Sequence, residues 1–437
     1  MTSPPLSIVR TGSEAFSKLL SQLARRGETD LDRVEGPVRE ILAAVRLGGD
    51  RAVLDYVARF EGRQPAQLLR RDFGGKEALA SLEPTLQRAL STAAERIASY
   101  HARQADQLRT FEYDDNGVTL SSRVTPVQRA GIYAPGGKAS YPSSVLMTAV
   151  PARVAGVPEI IVACPDTGAE VLAACYLAGV TAIVDAGGAQ AIAALAYGTE
   201  SVPRVDKIVG PGNIYVAAAK RQVFGQVDID SIAGPSEILV LADDSASPAV
   251  VAADLLSQAE HDEDAYPLLV CLGADVATQV SAAVQSQLSA LPERDGRGRT
   301  RRAVAEASVA RHGVALVVET VDDLVAIANE LAAEHVSIQM RDARSIADRI
   351  TRAGALFVGH DTPEAAGDYL AGPSHVLPTG GAARFGAPLG VYDFVSRSSL
   401  IGYTRGALAA QAEAITTLAR AEGLEAHARA VEVRLAR

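Results

Sequence analysis

Glu159-Ile-Ile-Val-Ala-Cys164, Thr181-Ala-Ile-Val-Asp-Ala-Gly187, Asp206-Lys-Ile-Val-Gly210 and Glu237-Ile-Leu-Val-Leu-Ala242 are the runs that decide the fold. Each is too short for a helix and too continuously apolar for a strand with one wet face. Alanine-rich stretches of helical length separate them. Strands buried on both faces and alternating with helices make βαβ units and a parallel sheet. This alternation begins near Val127. After Ser236-Glu237 a second series follows: EILVLA, a helix, YPLLVCL, a helix, GVALVV, a helix, HVSIQM, a helix and ALFVG. The pattern predicts two α/β units of similar plan, over roughly 125–235 and 236–360.

Outside these units the pattern changes. Up to about residue 100 the chain reads as helical. Ser13 is placed to cap a helix whose apolar positions Phe16, Leu19, Leu20 and Leu23 keep helical spacing, with Gly27 ending it. Val38, Ile41, Leu42 and Val45 repeat the pattern, and Leu86, Leu90, Ala94 and Ile97 share one face of a longer helix. His101 reads as a surface histidine. Asn116-Gly117, between alternating residues, marks a β-hairpin. The C-terminal end loses the strand–helix alternation and closes with a helix over 407–421 and a short tail.

A chain of 437 residues is too long for a single core, so two or more domains are expected. With 42 basic against 52 acidic residues the formal charge is −10, which argues against a nucleic-acid or anionic-membrane surface. The basic stretch Arg294–Arg302 carries glycines and reads as an exposed connection. Cys164, Cys175 and Cys271 are scattered in apolar runs without C-x-x-C spacing, as expected of buried thiols in a reducing compartment. The N-terminus, MTSPPLSIVR, lacks the basic-then-apolar pattern of a signal peptide. A cytoplasmic protein is expected.

The residues that carry chemistry are spread along the chain. Gln258 and His261 in DLLSQAEHD stand three apart, a spacing that puts an amide oxygen and an imidazole on one helix face. That is half of a zinc site, or a solvated pair. Glu334-His335 opens the strand HVSIQM and offers a carboxylate and an imidazole for proton transfer. Asp368 and His375 fall in a loop dense in turn formers, and Glu422 and His427 lie near the C-terminus. Gly234-Pro235-Ser236 is either a turn that exposes the Ser236 hydroxyl or a plain strand entry. His312 and His360 stand apart from such clusters and read as structural. Three glycine-rich loops, Pro135-Gly136-Gly137, Gly187-Gly188-Ala189-Gln190 and Gly210-Pro211-Gly212-Asn213, each join a strand to a helix. None is G-x-G-x-x-G. Singly they are turn chemistry; together on one sheet edge they suit a nucleotide, with helix N-termini available to phosphate.

Taken in order, IDSIAGPSE (229–237), DLLSQAEHD (254–262), Glu334-His335 and GDYLAGPSHVLPTGG (367–381) make the chain resemble the histidinol dehydrogenase family. The resemblance runs from the first helices to Glu422 and His427. It implies an NAD-dependent, zinc-containing homodimer that oxidises L-histidinol through the aldehyde to L-histidine. By this resemblance Gln258, His261, Asp368 and His427 match zinc ligands, His427 serving the partner subunit. Glu334 and His335 match the proton acceptors. Ser236, His335 and Glu422, with the ligand positions, match substrate contacts, and Tyr133, Gln190 and Asn213 match NAD contacts. His375 is read as lying beside the substrate or behind the ligands. Ala333, where many relatives have proline, and Pro373-Ser374 are the departures, and neither falls on a functional position.

The expected fold is then two incomplete Rossmann-like parallel-sheet domains with helical N- and C-terminal extensions. Residues 1–27 are expected as a helical arm. Residues 28–125 with 236–380 are expected to form the domain of the metal and catalytic residues. Residues 126–235 are expected to form the NAD domain, and 381–437 a helical tail that reaches the partner. Two rivals use the same residues: a zinc hydrolase with Glu334 activating water, and a non-catalytic zinc- or metabolite-binding protein.

Overall fold

The apolar runs become the centres of two six-stranded sheets, each covered by helices on both faces. The computed structural model describes residues 5–26, 31–136, 141–294 and 300–436. Gly27, Gly137 and the middle of the basic stretch (295–299) lie outside them. In chain order the strands are β1 (Ser7–Arg10), β2 (Leu69–Arg70), β3 (Phe111–Asp115), β4 (Val118–Pro126) and β5 (Arg129–Tyr133). Next come β6 (Glu159–Ala163), β7 (Ala182–Val184), β8 (Lys207–Val209), β9 (Asp228–Ile229) and β10 (Glu237–Ala242). The last are β11 (Tyr266–Leu272), β12 (Val314–Val318), β13 (His335–Gln339), β14 (Ala355–Val358) and β15 (Val395–Tyr403).

The first sheet has the order β2-β7-β6-β5-β8-β9 and is parallel except for β2. The second, β1-β12-β11-β10-β13-β14, is parallel throughout. The alternation of side chains explains the unbroken apolar runs. Ile161 and Ala163 enter the core on one face of β6, while Ile160 and Val162 enter the core on the other. Leu239 and Leu241 of β10 are divided in the same way from Ile238 and Val240. In both sheets the strand order reverses beside the first strand of the series, between β5 and β8 and between β10 and β13. Such a reversal opens a crevice at the strand ends.

The link between the sheets positions the site. β9 runs parallel to β8 and ends at the carboxyl edge of the first sheet, and β10 begins at the amino edge of the second. Only residues 230–236 separate them, a span of at most about 25 Å. Gly234 N in this link donates to Thr379 Oγ1 at 2.6 Å, and Ser374 Oγ donates to Met147 O at 3.0 Å. The 370–380 loop is thus tied to both halves.

The flanks depart from expectation in four places. Residues 7–10 form strand β1, paired in parallel with β12, where a wholly helical arm was expected. The arm's helix, Glu14–Ala24, does follow, with Ser13 Oγ accepting from Phe16 N at 3.1 Å. Residues 31–105, expected to join 236–380, pack on the first sheet instead. Val38, Ile41 and Val45 share a core with Ile161 and Ile192, Leu90 and Ile97 with Val145 and Val150, and β2 pairs with β7. Helical spacing marks a buried face but not the sheet that buries it. In the C-terminal segment, Val395–Tyr403 is a strand, β15, paired along its length with β4, which also forms the Asn116-Gly117 hairpin with β3. Two helices then close the chain, Arg405–Ala421 and Glu425–Leu435. Finally, His101 is fully buried, with Nδ1 2.8 Å from Ile97 O, because the helix Pro84–Ala105 turns that face into the core.

Candidate active site

Glu334 and His335 sit where β13 starts, beside the start of β10. Their backbone setting is a reciprocal pair of contacts with Glu237. Glu237 N donates to Glu334 Oε2 at 2.9 Å, and Glu334 N donates to Glu237 Oε2 at 3.3 Å. Glu237 is itself buried against Arg26, whose Nη2 donates to it at 2.7 Å, and it also accepts from Gly380 N at 2.7 Å. Arg26 further holds the carbonyls of Leu23 and Leu331, so the N-terminal arm is fastened to the floor of the site. Burial, with Glu237 close by, pushes the Glu334 carboxyl well above the ordinary carboxylate range.

His335 is nearly inaccessible, and burial pulls its imidazole down to about 4. At neutral pH it is therefore uncharged. Its Nδ1 lies 2.9 Å from Glu237 O, a contact that requires the proton on Nδ1. Nε2 is left as a bare base facing Glu364 Oε1 at 3.6 Å. Glu334 Oε2 is 3.6 Å from His335 Nδ1, so the strand start does bring both side chains to one place.

Three further elements meet there. The helix Pro248–Ala259 ends with Gln258 fully buried, and neither amide atom has a hydrogen-bond partner among the described residues. His261 lies just past the helix end in a turn, with its N–H bonded to Gln258 O, and is exposed. The two therefore do not share a helix face, although His261 is close enough to His335 and His375 to disfavour their protonation. Asp368, expected in a loop, lies on a short helix, Glu364–Tyr369. Its carbonyl is 3.1 Å from His375 Nδ1 and its Oδ1 3.6 Å from the same nitrogen, so His375 backs the Asp368 carboxylate.

Glu364 was not singled out by the sequence. It is buried, Oε2 accepts from Ser257 Oγ at 3.0 Å, and Oε1 is without a partner among the described residues. Burial and the neighbouring Asp368 carboxylate raise it to about 8. Its four-residue spacing from Asp368 was the available signal, masked by Pro363 and the glycines that follow. His335, Glu364 and Asp368 present ligand atoms all within 4.8 Å of one another. Asp368 from this group, with the unpartnered Gln258 amide, suits a zinc ion, which takes nitrogen and oxygen ligands. Glu422, in the turn between the two C-terminal helices, and His427, on the second of them, are exposed and join no such cluster among the described residues.

On the first sheet, Tyr133 ends β5, Gln190 lies in the first turn of the helix Gly188–Tyr197, and Asn213 precedes the helix Ile214–Val223. All belong to the carboxyl edge, at or near the β5–β8 reversal. Gly210 packs so closely there that a Cβ would lie 2.1 Å from Tyr133 O. In two of the three loops, N–H groups at the helix N-terminus already have partners within the protein. Gly187 N donates to Glu61 Oε1 at 2.9 Å, Gly188 N to Tyr133 Oη at 3.0 Å, and Asn213 Oδ1 caps Tyr215 N and Val216 N.

Comparison with known proteins agrees with the motifs. The sequence profile of the histidinol dehydrogenase family matches residues 24–435. A histidinol dehydrogenase of Syntrophotalea carbinolica is 52% identical over 426 residues, covering 96% of this chain and 97% of the relative. One of Lactiplantibacillus plantarum is 48% identical over 424 residues, with 96% and 97% covered. The crystal structure of histidinol dehydrogenase from Elizabethkingia anophelis superposes with a TM-score of 0.90 at 31% identity, covering 100% of this chain and 99% of that one.

Proposed function

The chain belongs to the histidinol dehydrogenase family, and from that membership we propose that it oxidises L-histidinol to L-histidine through L-histidinaldehyde. The reaction uses two NAD and one zinc per subunit, in a cytoplasmic homodimer. The observation that carries the reading is His335: its Nδ1–H is spent on Glu237 O and its Nε2 is bare beside Asp368 and Glu364. An imidazole held so is a base for an alcohol proton.

Zinc would be held by Gln258, His261, Asp368 and the partner's His427 and would supply a Lewis-acid anchor for the substrate, and NAD would supply the hydride acceptor. The rest is done by the chain. His335 takes the hydroxyl proton at Nε2 in the first oxidation. Glu334, whose raised affinity for a proton makes its carboxylate the stronger base, takes a proton from the water that attacks the aldehyde. His335 receives the proton of the resulting diol in the second oxidation. Ser236 and Glu422 contact substrate, and Tyr133, Gln190 and Asn213 contact NAD at the edge that residues 230–236 join to the site. The exposed Leu418, Leu424 and Val433 of the terminal helices suit a tail that lies on a second subunit.

Supplying L-histidinol and NAD to the zinc-loaded protein and following absorbance tests the proposal. About two NADH per L-histidine are expected, because each NAD takes one hydride and alcohol to acid requires two. No NADH would refute the proposal: hydrolysis of an ester or amide would then mean a zinc hydrolase, and no turnover at all a non-catalytic binding protein.

A further inference from the structure

Asp254 has no part in the chemistry above, yet it is buried to 6% exposure behind the site. A carboxylate there needs compensation, since burying an unpaired charge is costly. It receives three donors from two other elements. Ser337 Oγ donates to Oδ2 at 3.0 Å and Gln339 Nε2 at 3.2 Å, both from β13. The backbone N–H of Glu364, at the start of the Asp368 helix, is the third. Gln339 Oε1 in turn meets His360 Nδ1 at 3.3 Å, and His360 Nε2 lies 3.3 Å from Ser245 Oγ, which closes the network on the sheet edge. Ser257, one turn along from Asp254, adds the bond to Glu364 Oε2.

The register of these contacts is what matters. Gln258 follows Asp254 by one helical turn on the same helix. His335 precedes Ser337 by one strand repeat, so both face the same side of the sheet. Asp368 follows Glu364 by one turn. Gln258 therefore stands one structural repeat from Asp254 itself, and His335 and Asp368 each stand one repeat from a residue bonded to the Asp254 carboxylate.

We propose that Asp254 is a positioning residue that sets the Gln258 helix, β13 and the Asp368 helix at the spacing the metal and the base require. This rests on the zinc site proposed above. Ser337 and Gln339 are fully buried, so the network acts through the ligands and touches no substrate.

The test uses full-length protein freed of metal with a chelator and titrated with Co2+, whose visible absorption reports the ligand geometry. Asp254→Asn turns an acceptor-only group into one that sets an N–H against a donor. It is expected to lower Co2+ affinity about 10–100-fold, the usual effect of losing a partner behind a ligand, and to change the visible band while far-ultraviolet circular dichroism is kept. Wild-type affinity and band shape in Asp254→Asn would overturn the proposal. Should that variant fail to fold, Ser337→Ala and Gln339→Leu carry the test: weakened Co2+ binding supports the role, and wild-type binding in both overturns it. Gln258→Ala separates the two levels of inference. If it binds Co2+ as tightly as wild type, the zinc reading itself fails and the positioning role falls with it; if it binds weakly while Asp254→Asn does not, only the positioning role fails.

Discussion

Gln258→Met should change the stability of the protein in opposite senses with and without metal. Gln258 is 0% exposed, and both Oε1 and Nε2 lack partners among the described residues. A buried polar group left unmatched costs about 1–3 kcal/mol. Methionine keeps the unbranched shape and removes both polar atoms, so in chelator the variant should be more stable by about that amount, a rise of a few degrees in Tm. With zinc at a hundred times Kd, binding stabilises the native protein by about 2.7 kcal/mol. A hundredfold loss of affinity on removing the ligand would leave only about 0.4 kcal/mol of that. The zinc-induced rise in Tm should therefore nearly vanish in the variant, although its chelated form melts later than wild type. Calorimetric scans of both proteins, in chelator and in fixed free zinc, measure the four midpoints. A variant that melts earlier than wild type in chelator and keeps the full zinc-induced shift would refute the reasoning, since the amide would then be structural.

Glu334→Gln should oxidise L-histidinol but stall at the aldehyde, giving about one NADH per substrate, whereas His335→Asn should slow both oxidations by roughly 10²–10⁴-fold; normal turnover of supplied aldehyde by Glu334→Gln would remove Glu334 from the water step. The depressed His335 imidazole, at about 4 against an ordinary value near 6.5, leaves the unfolded chain binding more protons between those values. Its contribution, up to roughly 3 kcal/mol, is thus present above about pH 6.5 and lost as pH falls towards 4. A urea-denaturation series over that range should slope less steeply for His335→Gln than for wild type, and equal slopes would contradict the burial argument. Arg26→Met strands the Glu237 carboxylate and should cost about 3–5 kcal/mol in the same assay, with Glu237→Gln added to it recovering part; a cost under about 1 kcal/mol, typical of an exposed pair, would count against the arm's role. Mixed His261→Ala and His427→Ala chains should regain activity by forming heterodimers with one complete site, and no recovery despite demonstrated exchange would assign the tail to its own subunit.

What could be read from the sequence was whatever burial writes locally. Unbroken runs such as Glu237–Ala242 record a strand covered on both faces, and Asn116-Gly117 records a turn whose two residues both take positive φ, 53° and 84°. Helical spacing in Val38, Ile41 and Val45 recorded a buried face, but the identity of the covering sheet is a long-range fact with no local trace. β15 was illegible for a related reason: VSRSSLIGY is mostly exposed and carries no apolar alternation, and it is a strand because β4 offers it a complementary edge. The site divides along the same line. Glu334, His335, Gln258 and Asp368 stood in motifs with an evident chemistry, whereas Arg26 and Glu364 stood in none and Asp254, though it opens DLLSQAEHD, carried no chemical signal of its own. What recruits these three is strand order. β10 and β13 are neighbours only because the sheet reverses beside β10, and this reversal lets Glu237 and Glu334 exchange hydrogen bonds across 97 residues of sequence. The same adjacency carries Asp254 onto Ser337 across 83 residues. A buried charge pays its desolvation through partners that only the topology supplies, so the groups that hold this site in register could be found only once the order of the strands was known.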